Sequence, residues 1–346
     1  MLKKRAWYGK YKHLFLYLCV ELYLSLWYNF SVTNEKERYF MKKKEMLCAA
    51  LLSAIIIGSA AGTVTASAAS YERAAYNDYE VYYYQDHKYL SGVSNKSIWS
   101  YQRPSVRFND KSLSVKGLVI NSTYYVPSRA FANAIGASYS YDSKSRTATM
   151  KIGSMTFTSS DGCYVSYANG RALFSMTPTV IMNDGRMYIP ADVLAKAVGV
   201  KYTESASALS FSGTVKPLAS ADSYYRSDEV LWLARIIHAE SRGEPLLGQI
   251  AVGNVVLNRV KSPDFPNTIY GVIFDRKYGV QFSPILNGTI YNEPSYNSVL
   301  AAKICLEGYD VSEGALYFLY PPLSTSSWIP KNRDYAFTVG NHDFYK

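Results

Sequence analysis

Residues 227–245 read SDEVLWLARIIHAESRGEP, and this stretch decides how the C-terminal third of the chain folds. Apolar residues recur through it at three- and four-residue spacing, which predicts a helix with one face in a core. Ser227 is expected as the N-cap, with acidic residues in the first turn. Gly243 is the natural stop, and Pro245 opens a second helix that extends to Val260. The sequence therefore predicts two consecutive helices joined by a short connection.

Glu240 lies in the last turn of the first predicted helix. The negative end of the helix dipole and burial both disfavour a carboxylate, so both raise the pKa of Glu240. A carboxyl that keeps its proton at neutral pH suits a general acid for a glycosidic bond. A helix-end glutamate paired with Arg235 or Arg242 is the alternative, and the residues alone leave it open. His238 fits a packed or hydrogen-bonded histidine, and Glu244 a solvated loop residue or the capping partner of the next helix.

Five ordered blocks of sequence, between about residues 228 and 346, resemble a known family. The blocks are residues 234–260, 265–273, 281–284, 314–318 with 328–329, and 340–345. They resemble the cell-wall hydrolase family of SleB-like spore-cortex-lytic enzymes. The resemblance implies a mainly helical, lysozyme-like fold similar to lytic transglycosylases, with Glu240 as the catalytic residue. It also implies that Glu240 protonates the oxygen between N-acetylmuramic acid and N-acetylglucosamine and then takes the proton of the muramyl 6-hydroxyl, which closes a 1,6-anhydro ring.

Other polar and aromatic residues in these blocks are candidates for binding the glycan. Gln281 and Ser283 are candidates for hydrogen bonds to N-acetyl groups, and Tyr317 and Trp328 for stacking on sugar faces. Asn258 is a further candidate on the second helix. Each of these five residues has an equally plausible structural role as core filler or cap.

Water is the alternative acceptor to the muramyl hydroxyl, and hydrolysis by water normally needs a second carboxylate. Asp275, Asp264 and Glu293 are the candidates for that carboxylate. Tyr320 stands where the family usually has Asn, and this departure affects substrate placement or a supporting hydrogen bond.

An internal repeat precedes these blocks. Residues 125–136 (YVPSRAFANAIG) align with residues 188–199 (YIPADVLAKAVG) at an offset of 63 residues. Each copy predicts a strand that ends at a proline, a short helix with that proline in its first turn, a glycine stop and a further strand. The repeat resembles the copper amine oxidase N-terminal-like domain, a stalk module of exported bacterial proteins. The second copy departs from the pattern by having Asp192 where an arginine is expected.

The N-terminal region has the pattern of an export signal. Lys42 to Lys44 are followed by an apolar stretch from Met46 to Ala61 and by small residues, which is typical of a signal peptide cleaved after Ala68 or Ala69. The formal net charge of the chain is +10, and residues 1–69 contain ten Lys and Arg against four Glu. Because the excess of basic residues lies mainly in the targeting region, nucleic-acid binding loses its support.

The predicted fold class is α+β, with a duplicated strand-helix-strand stalk followed by a mainly helical catalytic domain. The segments are residues 1–40, an upstream extension or an extra membrane segment; 41–69, a signal peptide; 70–103, a Tyr-rich linker; 104–214, the stalk domain; 215–226, a linker; and 227–346, the catalytic domain. Cys163 and Cys305 fall in different domains and are expected as two free, buried thiols.

The sequence predicts a secreted, cell-wall-associated enzyme that degrades peptidoglycan glycan strands without a metal or other cofactor. The stalk domain is a candidate for the wall association. The four histidines are scattered, which disfavours a zinc-dependent N-acetylmuramoyl-L-alanine amidase. A non-catalytic wall-binding protein is the other alternative. Spore cortex and vegetative wall both remain open as substrates.

Overall fold

The computed structural model describes residues 101–277, 279–321 and 328–346. The predicted signal peptide and almost all of the Tyr-rich linker lie outside these residues. All the described residues belong to one unit of mutual contacts, Ser67–Lys346. Among them, no helix combines the length and the apolar character needed to cross a membrane.

Residues 105–212, called here the strand-rich part, contain thirteen strands and two helices. They are β1 (Ser105–Phe108), β2 (Lys111–Lys116), β3 (Leu118–Ile120), β4 (Thr123–Pro127), α1 (Ser128–Ala134), β5 (Ser138–Asp142), β6 (Thr147–Ile152), β7 (Met155–Ser160), β8 (Val165–Ala168), β9 (Arg171–Phe174), β10 (Val180–Ile181), β11 (Met187–Pro190), α2 (Ala191–Val198), β12 (Lys201–Glu204) and β13 (Ala208–Ser212). The strands form three sheets, in the orders β12-β13-β1-β2, β10-β11-β4-β3 and β5-β6-β7-β8-β9.

The matching strands of the two sequence copies pair with each other. β4 and β11 are antiparallel neighbours, with Val126 opposite Ile189, which is its equivalent at the offset of 63 residues. The helices that follow pack into one shared core, where Phe131 of α1 and Leu194 of α2 are fully buried. The two central strands thus place α1 and α2 in equivalent positions.

Pro127 and Pro190 differ from the sequence prediction in one respect. Each proline is the last strand residue and precedes its helix, rather than lying in the first turn. Its φ, −61° and −52° respectively, is the value that the proline ring imposes, and the extended backbone at this point accepts it. Gly199 ends α2 in a left-handed conformation at φ 65°, as the predicted glycine stop requires.

The described residues of the span 221–346, called here the helical part, contain six helices, two 3₁₀ helices and three strands. They are α3 (Ala221–Tyr224), α4 (Ser227–Ser241), α5 (Leu246–Lys261), α6 (Ile269–Ile273), the 3₁₀ helices Ser283–Ile285 and Thr289–Tyr291, α7 (Tyr296–Leu306), β14 (Tyr317–Leu319), α8 (Trp328–Asn332), β15 (Tyr335–Val339) and β16 (His342–Tyr345). The strands form one sheet in the order β14-β16-β15.

The helices α4 and α5 confirm the two predicted helices, each within one residue of its expected end. Ser227 is the first helical residue and not the N-cap, and no side chain caps the helix. Helices α4, α5 and α7 pack on one another around a core that includes Ile237 and Ala301. A side chain at Gly253 would place its Cβ 2.7 Å from Cys305 Sγ and 2.8 Å from Ile237 Cδ1, so glycine lets these helices approach closely.

Both cysteines of the described residues are buried and take part in no disulfide, as the sequence predicted. The pKa of the Cys305 thiol is raised by its complete burial, which keeps the thiol neutral and unreactive.

A buried ion-pair cluster joins the strand-rich part to the helical part. Glu307 follows α7, and its carboxylate accepts two hydrogen bonds from Arg171 of β9, at 2.7 and 2.8 Å. It also accepts one from the Tyr225 hydroxyl at 2.7 Å, and Lys196 Nζ of α2 lies 3.2 Å from it. We call these four residues the Glu307 cluster. The side chains of Arg171 and Glu307 are only 7% and 1% exposed, so the two charges depend on each other for compensation.

Candidate active site

Glu240 lies in the last turn of α4, which ends at Ser241. Its side chain is partly buried. The influences on the charge of the Glu240 carboxyl are its burial and the charge of Arg259, rather than those of Arg235 and Arg242, the two sequence candidates for an ion pair. Burial raises the pKa of Glu240 to about 7, and the charge of Arg259 opposes this rise. At neutral pH the carboxyl therefore exists in both its protonated and its ionised form.

Arg259 is the functional candidate that the sequence analysis missed. It lies in the last turn of α5 and is 5% exposed. Its Nε donates to the carbonyl oxygen of Leu316 at 2.7 Å, whereas its buried Nη1 has no hydrogen-bond partner in the described structure. Burial lowers the pKa of Arg259 to about 10, and the charges of Tyr317, Asp275 and Glu240 oppose this fall. Arg259 thus remains a cation at neutral pH, with one unpartnered donor, and its charge acts on Glu240.

Aromatic rings surround the Arg259 guanidinium. Its Cζ atom lies 5.0 Å from the ring centre of Phe265, 5.2 Å from that of Phe282 and 5.5 Å from that of Tyr317. Ring faces are the electron-rich sides of aromatic residues, so they compensate part of the cost of burying the cation. Because these rings come from three separate segments, no local sequence pattern identified Arg259.

The two aromatic binding candidates lie next to each other. The ring centres of Tyr317 and Trp328 are 6.3 Å apart, and the Tyr317 hydroxyl accepts a hydrogen bond of 2.9 Å from Arg333 Nη2. Trp328 is 51% exposed, and the Cζ atom of Arg333 lies 5.1 Å from its ring centre. Tyr317 also faces Arg259, which links this aromatic pair to the surroundings of Glu240.

Gln281 and Ser283 flank the buried Phe282 at the start of a 3₁₀ helix that packs against α4. Gln281 is partly buried and donates from its amide to the carbonyl oxygen of Gly279 at 3.2 Å. Ser283 is exposed. Both residues therefore lie on a segment beside the helix of Glu240, and their role in binding stays a prediction.

Asn258 holds a neighbouring loop. Its Nδ2 donates to Ser312 Oγ at 2.7 Å and to the Ala315 carbonyl oxygen at 3.0 Å. Because both amide hydrogens have protein partners, these contacts favour the structural alternative over a substrate-binding role for this group.

The three candidates for a second carboxylate differ in their surroundings. Asp264 and Glu293 are exposed. Asp275 is partly buried, and its charge acts on Arg259, as does the charge of Glu240. Of the three, Asp275 is the one whose charge acts on Arg259.

Glu244 and His238 have structural contacts. The expectation that Glu244 is solvated was wrong: it is 6% exposed, and its carboxylate accepts hydrogen bonds from the backbone and side-chain amides of Asn341 at 2.9 and 3.0 Å. His238 Nδ1 accepts from the Ser295 backbone amide at 3.1 Å. Burial and the charge of Arg242 lower the pKa of His238, so this histidine is neutral.

Two protein-family models match the chain. The copper amine oxidase N-terminal domain matches residues 107–210, and the cell wall hydrolase model matches residues 243–345. The second match begins three residues after Glu240.

Individual proteins are similar to the helical part. The spore cortex-lytic enzyme of Bacillus cereus is 39% identical over 122 residues, which are 35% of this chain and 46% of that protein. The cell wall hydrolase CwlJ of Oceanobacillus iheyensis is 31% identical over 99 residues, 27% of this chain and 69% of that protein. The solved catalytic domain of the germination-specific lytic transglycosylase SleB from Bacillus anthracis is 39% identical, with a TM-score of 0.33, over 35% of this chain and 97% of that one. The chain spans less than half the length of the Bacillus cereus relative.

Proposed function

This chain belongs to the cell wall hydrolase family, and we propose that its helical part cleaves the glycosidic bond between N-acetylmuramic acid and N-acetylglucosamine in peptidoglycan. The observation that best supports the proposal is the state of Glu240, whose pKa is raised to about 7 by burial. A general acid works best when its pKa lies near the working pH, because it then both holds a proton and releases it readily. The fold proposed for this part is lysozyme-like.

The proposed reaction uses one carboxyl twice. Glu240 donates its proton to the oxygen of the scissile bond, so that the N-acetylglucosamine side leaves as an alcohol. The resulting carboxylate then accepts the proton of the muramyl 6-hydroxyl as that oxygen bonds to the anomeric carbon. The lytic transglycosylase activity named for the Bacillus anthracis structure supports this product over that of hydrolysis. Asp275 is the candidate base if water is the acceptor instead.

Arg259 is proposed as the residue that positions and stabilises the ionised form of Glu240 between the two steps. Its guanidinium is buried, charged and short of one hydrogen-bond partner. When Glu240 loses its proton, the new negative charge arises near this cation in surroundings of low polarity, where the attraction is strong. Trp328 and Tyr317 are proposed to stack on sugar rings of the bound strand.

The pH profile tests the role of Arg259. Activity is expected to fall as the pH rises through about 7, because the first step needs the protonated Glu240. In Arg259→Gln the opposing positive charge is gone, so the pKa of Glu240 rises and this fall moves to higher pH by roughly one unit. Arg259→Lys keeps a charge and should restore most of the wild-type profile. An unchanged profile in a folded Arg259→Gln variant would show that Arg259 does not act on Glu240.

The product identifies the reaction. Mass spectrometry of the soluble fragments released from purified peptidoglycan is expected to find 1,6-anhydro-muramyl ends. Reducing ends would instead indicate hydrolysis, and Asp275→Asn would then be expected to lower the rate. Retention on peptidoglycan without any release would favour a non-catalytic wall-binding protein.

The remaining proposals concern the rest of the chain. We propose that the chain is exported and acts outside the cytoplasm, on spore cortex or vegetative wall. The strand-rich part is proposed to be a duplicated stalk domain that contributes to association with the wall.

A further inference from the structure

An open pocket of about 440 Å³ lies in the strand-rich part, away from Glu240. Its walls come from β2, the start of α1, β5 and the turn between β10 and β11. The volume lies within the range that pockets for small molecules usually have. None of its lining residues belongs to the proposed active site.

Two arginines and two tyrosines line the pocket, and no acidic residue does so. Arg129 is exposed, and its Cζ atom lies 5.0 Å from the ring centre of Tyr139. Within the described residues, Arg129 forms no ion pair. Arg186 is half exposed, and Asp184 holds one end of its guanidinium through a bond of 2.8 Å. The pocket therefore presents one uncompensated arginine and a second arginine whose orientation is fixed.

The two tyrosines that line the pocket, Tyr139 and Tyr141, differ in their contacts and exposure. The Tyr139 hydroxyl forms a hydrogen bond of 2.9 Å with Ser128 Oγ, which fixes the ring beside Arg129. Tyr141 is 39% exposed and has space in front of it. An exposed tyrosine ring provides a flat apolar surface with a polar edge, and it loses little conformational entropy when it binds a ligand.

The second sequence copy provides an internal comparison. At the offset of 63 residues, Arg129 corresponds to Asp192 and Tyr141 to Glu204, and both acids are exposed. The equivalent surface is thus acidic in the second copy and basic in the first. The fold does not require a cation at this position, because the second copy forms the same strand, helix and strand with an aspartate.

We propose that this pocket binds the muramyl-peptide unit of peptidoglycan, with Arg129 and Arg186 on a free carboxylate of the peptide and Tyr139 and Tyr141 against the sugar. The guanidinium group pairs with a carboxylate through two parallel hydrogen bonds, which gives both strength and orientation. Peptidoglycan presents such carboxylates at regular intervals along its glycan strands. The choice of ligand rests on the proposed function, whereas the pocket and its charge do not. Binding here would hold the enzyme on its polymeric substrate between cleavage events.

The test measures the affinity of the purified protein for N-acetylmuramyl-L-alanine and for its C-terminal amide, by isothermal titration calorimetry. The two probes differ in one terminal group, a charged carboxylate in the acid and a neutral carboxamide in the amide, and neither contains a glycosidic bond that Glu240 can cleave. The acid is expected to bind at least about tenfold more tightly than the amide. Arg129→Asp, which installs the residue of the second copy, should remove this preference. Asp192→Asn is the matched control at the equivalent position and should bind like the wild type.

The outcomes separate the pocket from the active site. Equal affinity for both probes, or an Arg129→Asp variant that still prefers the acid, would overturn the proposal. Arg129 is exposed, so the variant is expected to fold, and an unchanged unfolding temperature checks this. Arg129→Gln gives the same test without a new negative charge. If the wild type binds N-acetylmuramyl-L-alanine through Arg129 but releases no fragments from peptidoglycan, the proposed cleavage activity is wrong, whereas the proposed binding at the pocket is correct.

Discussion

Glu240→Gln is expected to lower the rate of peptidoglycan cleavage by about three orders of magnitude, to near the detection limit. Glutamine has the shape of the protonated acid but cannot give up a proton, so both the acid step and the base step are lost. The measurement is the release of soluble glycan fragments from purified peptidoglycan at about pH 6, where the wild-type acid is largely protonated. Glu313→Gln, a change at an exposed carboxylate of the same helical part that has no proposed role in catalysis, is the matched control and should leave the rate unchanged.

The stability of the same variant provides an independent check. The folded-state pKa of Glu240, about 7, is above the ordinary value of 4.5, so folding favours the protonated form. The wild type therefore loses stability as the pH rises from about 4.5 through 7, whereas the amide of the Glu240→Gln variant does not titrate. At about pH 8 the variant should be more stable than the wild type by up to about 3 kcal/mol, and at about pH 4.5 or below the difference should nearly vanish. Urea unfolding of both proteins at the two pH values measures this difference in the free energy of unfolding.

Full cleavage activity in Glu240→Gln would rule out Glu240 as the acid and direct attention to Asp275. Lost activity together with lower stability at about pH 8 would indicate that glutamine damages the fold. The predicted combination of lost activity and higher stability is what a buried carboxyl with a catalytic role should produce.

Glu307→Gln is expected to destabilise the protein by about 3–5 kcal/mol at about pH 7. Burial opposes ionisation of Glu307, but the hydrogen bonds from Arg171 and Tyr225 outweigh it and lower the pKa of Glu307 below its ordinary value. The neutral amide leaves the Arg171 guanidinium, 7% exposed, without its counter-charge. Urea unfolding measures the loss of stability. The control is Glu313→Gln, at an exposed ion pair with Lys346, which is expected to change the free energy of unfolding by less than about 0.5 kcal/mol.

The pH dependence of stability and a double variant that removes both buried charges further test the role of Glu307. Because the pKa of Glu307 is lowered, its stabilising contribution is present above the ordinary carboxyl pKa and is lost as the pH falls through the folded-state pKa. The difference between wild type and Glu307→Gln should therefore shrink in acid. Replacing both Arg171 with Met and Glu307 with Leu removes the two charges together and should recover most of the stability. Wild-type stability of Glu307→Gln at neutral pH would contradict the role given to the cluster.

Much of the local structure was predictable because short-range interactions determine it. Apolar spacing, the Gly243 stop and Pro245 located α4 and α5, and the same features placed Glu240 at a helix end. The repeat likewise predicted the two strand-helix units, whose strands β4 and β11 pair with each other in the fold. The errors at this level, such as the expected cap at Ser227 and the position of Pro127 and Pro190, were displacements of one residue.

What the sequence by itself determined is thus helices α4 and α5, the two strand-helix units of the repeat, the burial of the two thiols and the choice of Glu240 as the candidate acid. Only the tertiary structure decided which distant groups act on each other. Arg259 lies near Glu240 although it is on another helix, Asn258 and Glu244 hold loops that follow them by more than 50 residues, and Glu307 meets Arg171 across 136 positions. The physical reason is that a helix or turn depends on neighbours within a few residues, whereas a pKa or a buried ion pair depends on every charge and apolar atom that folding brings close.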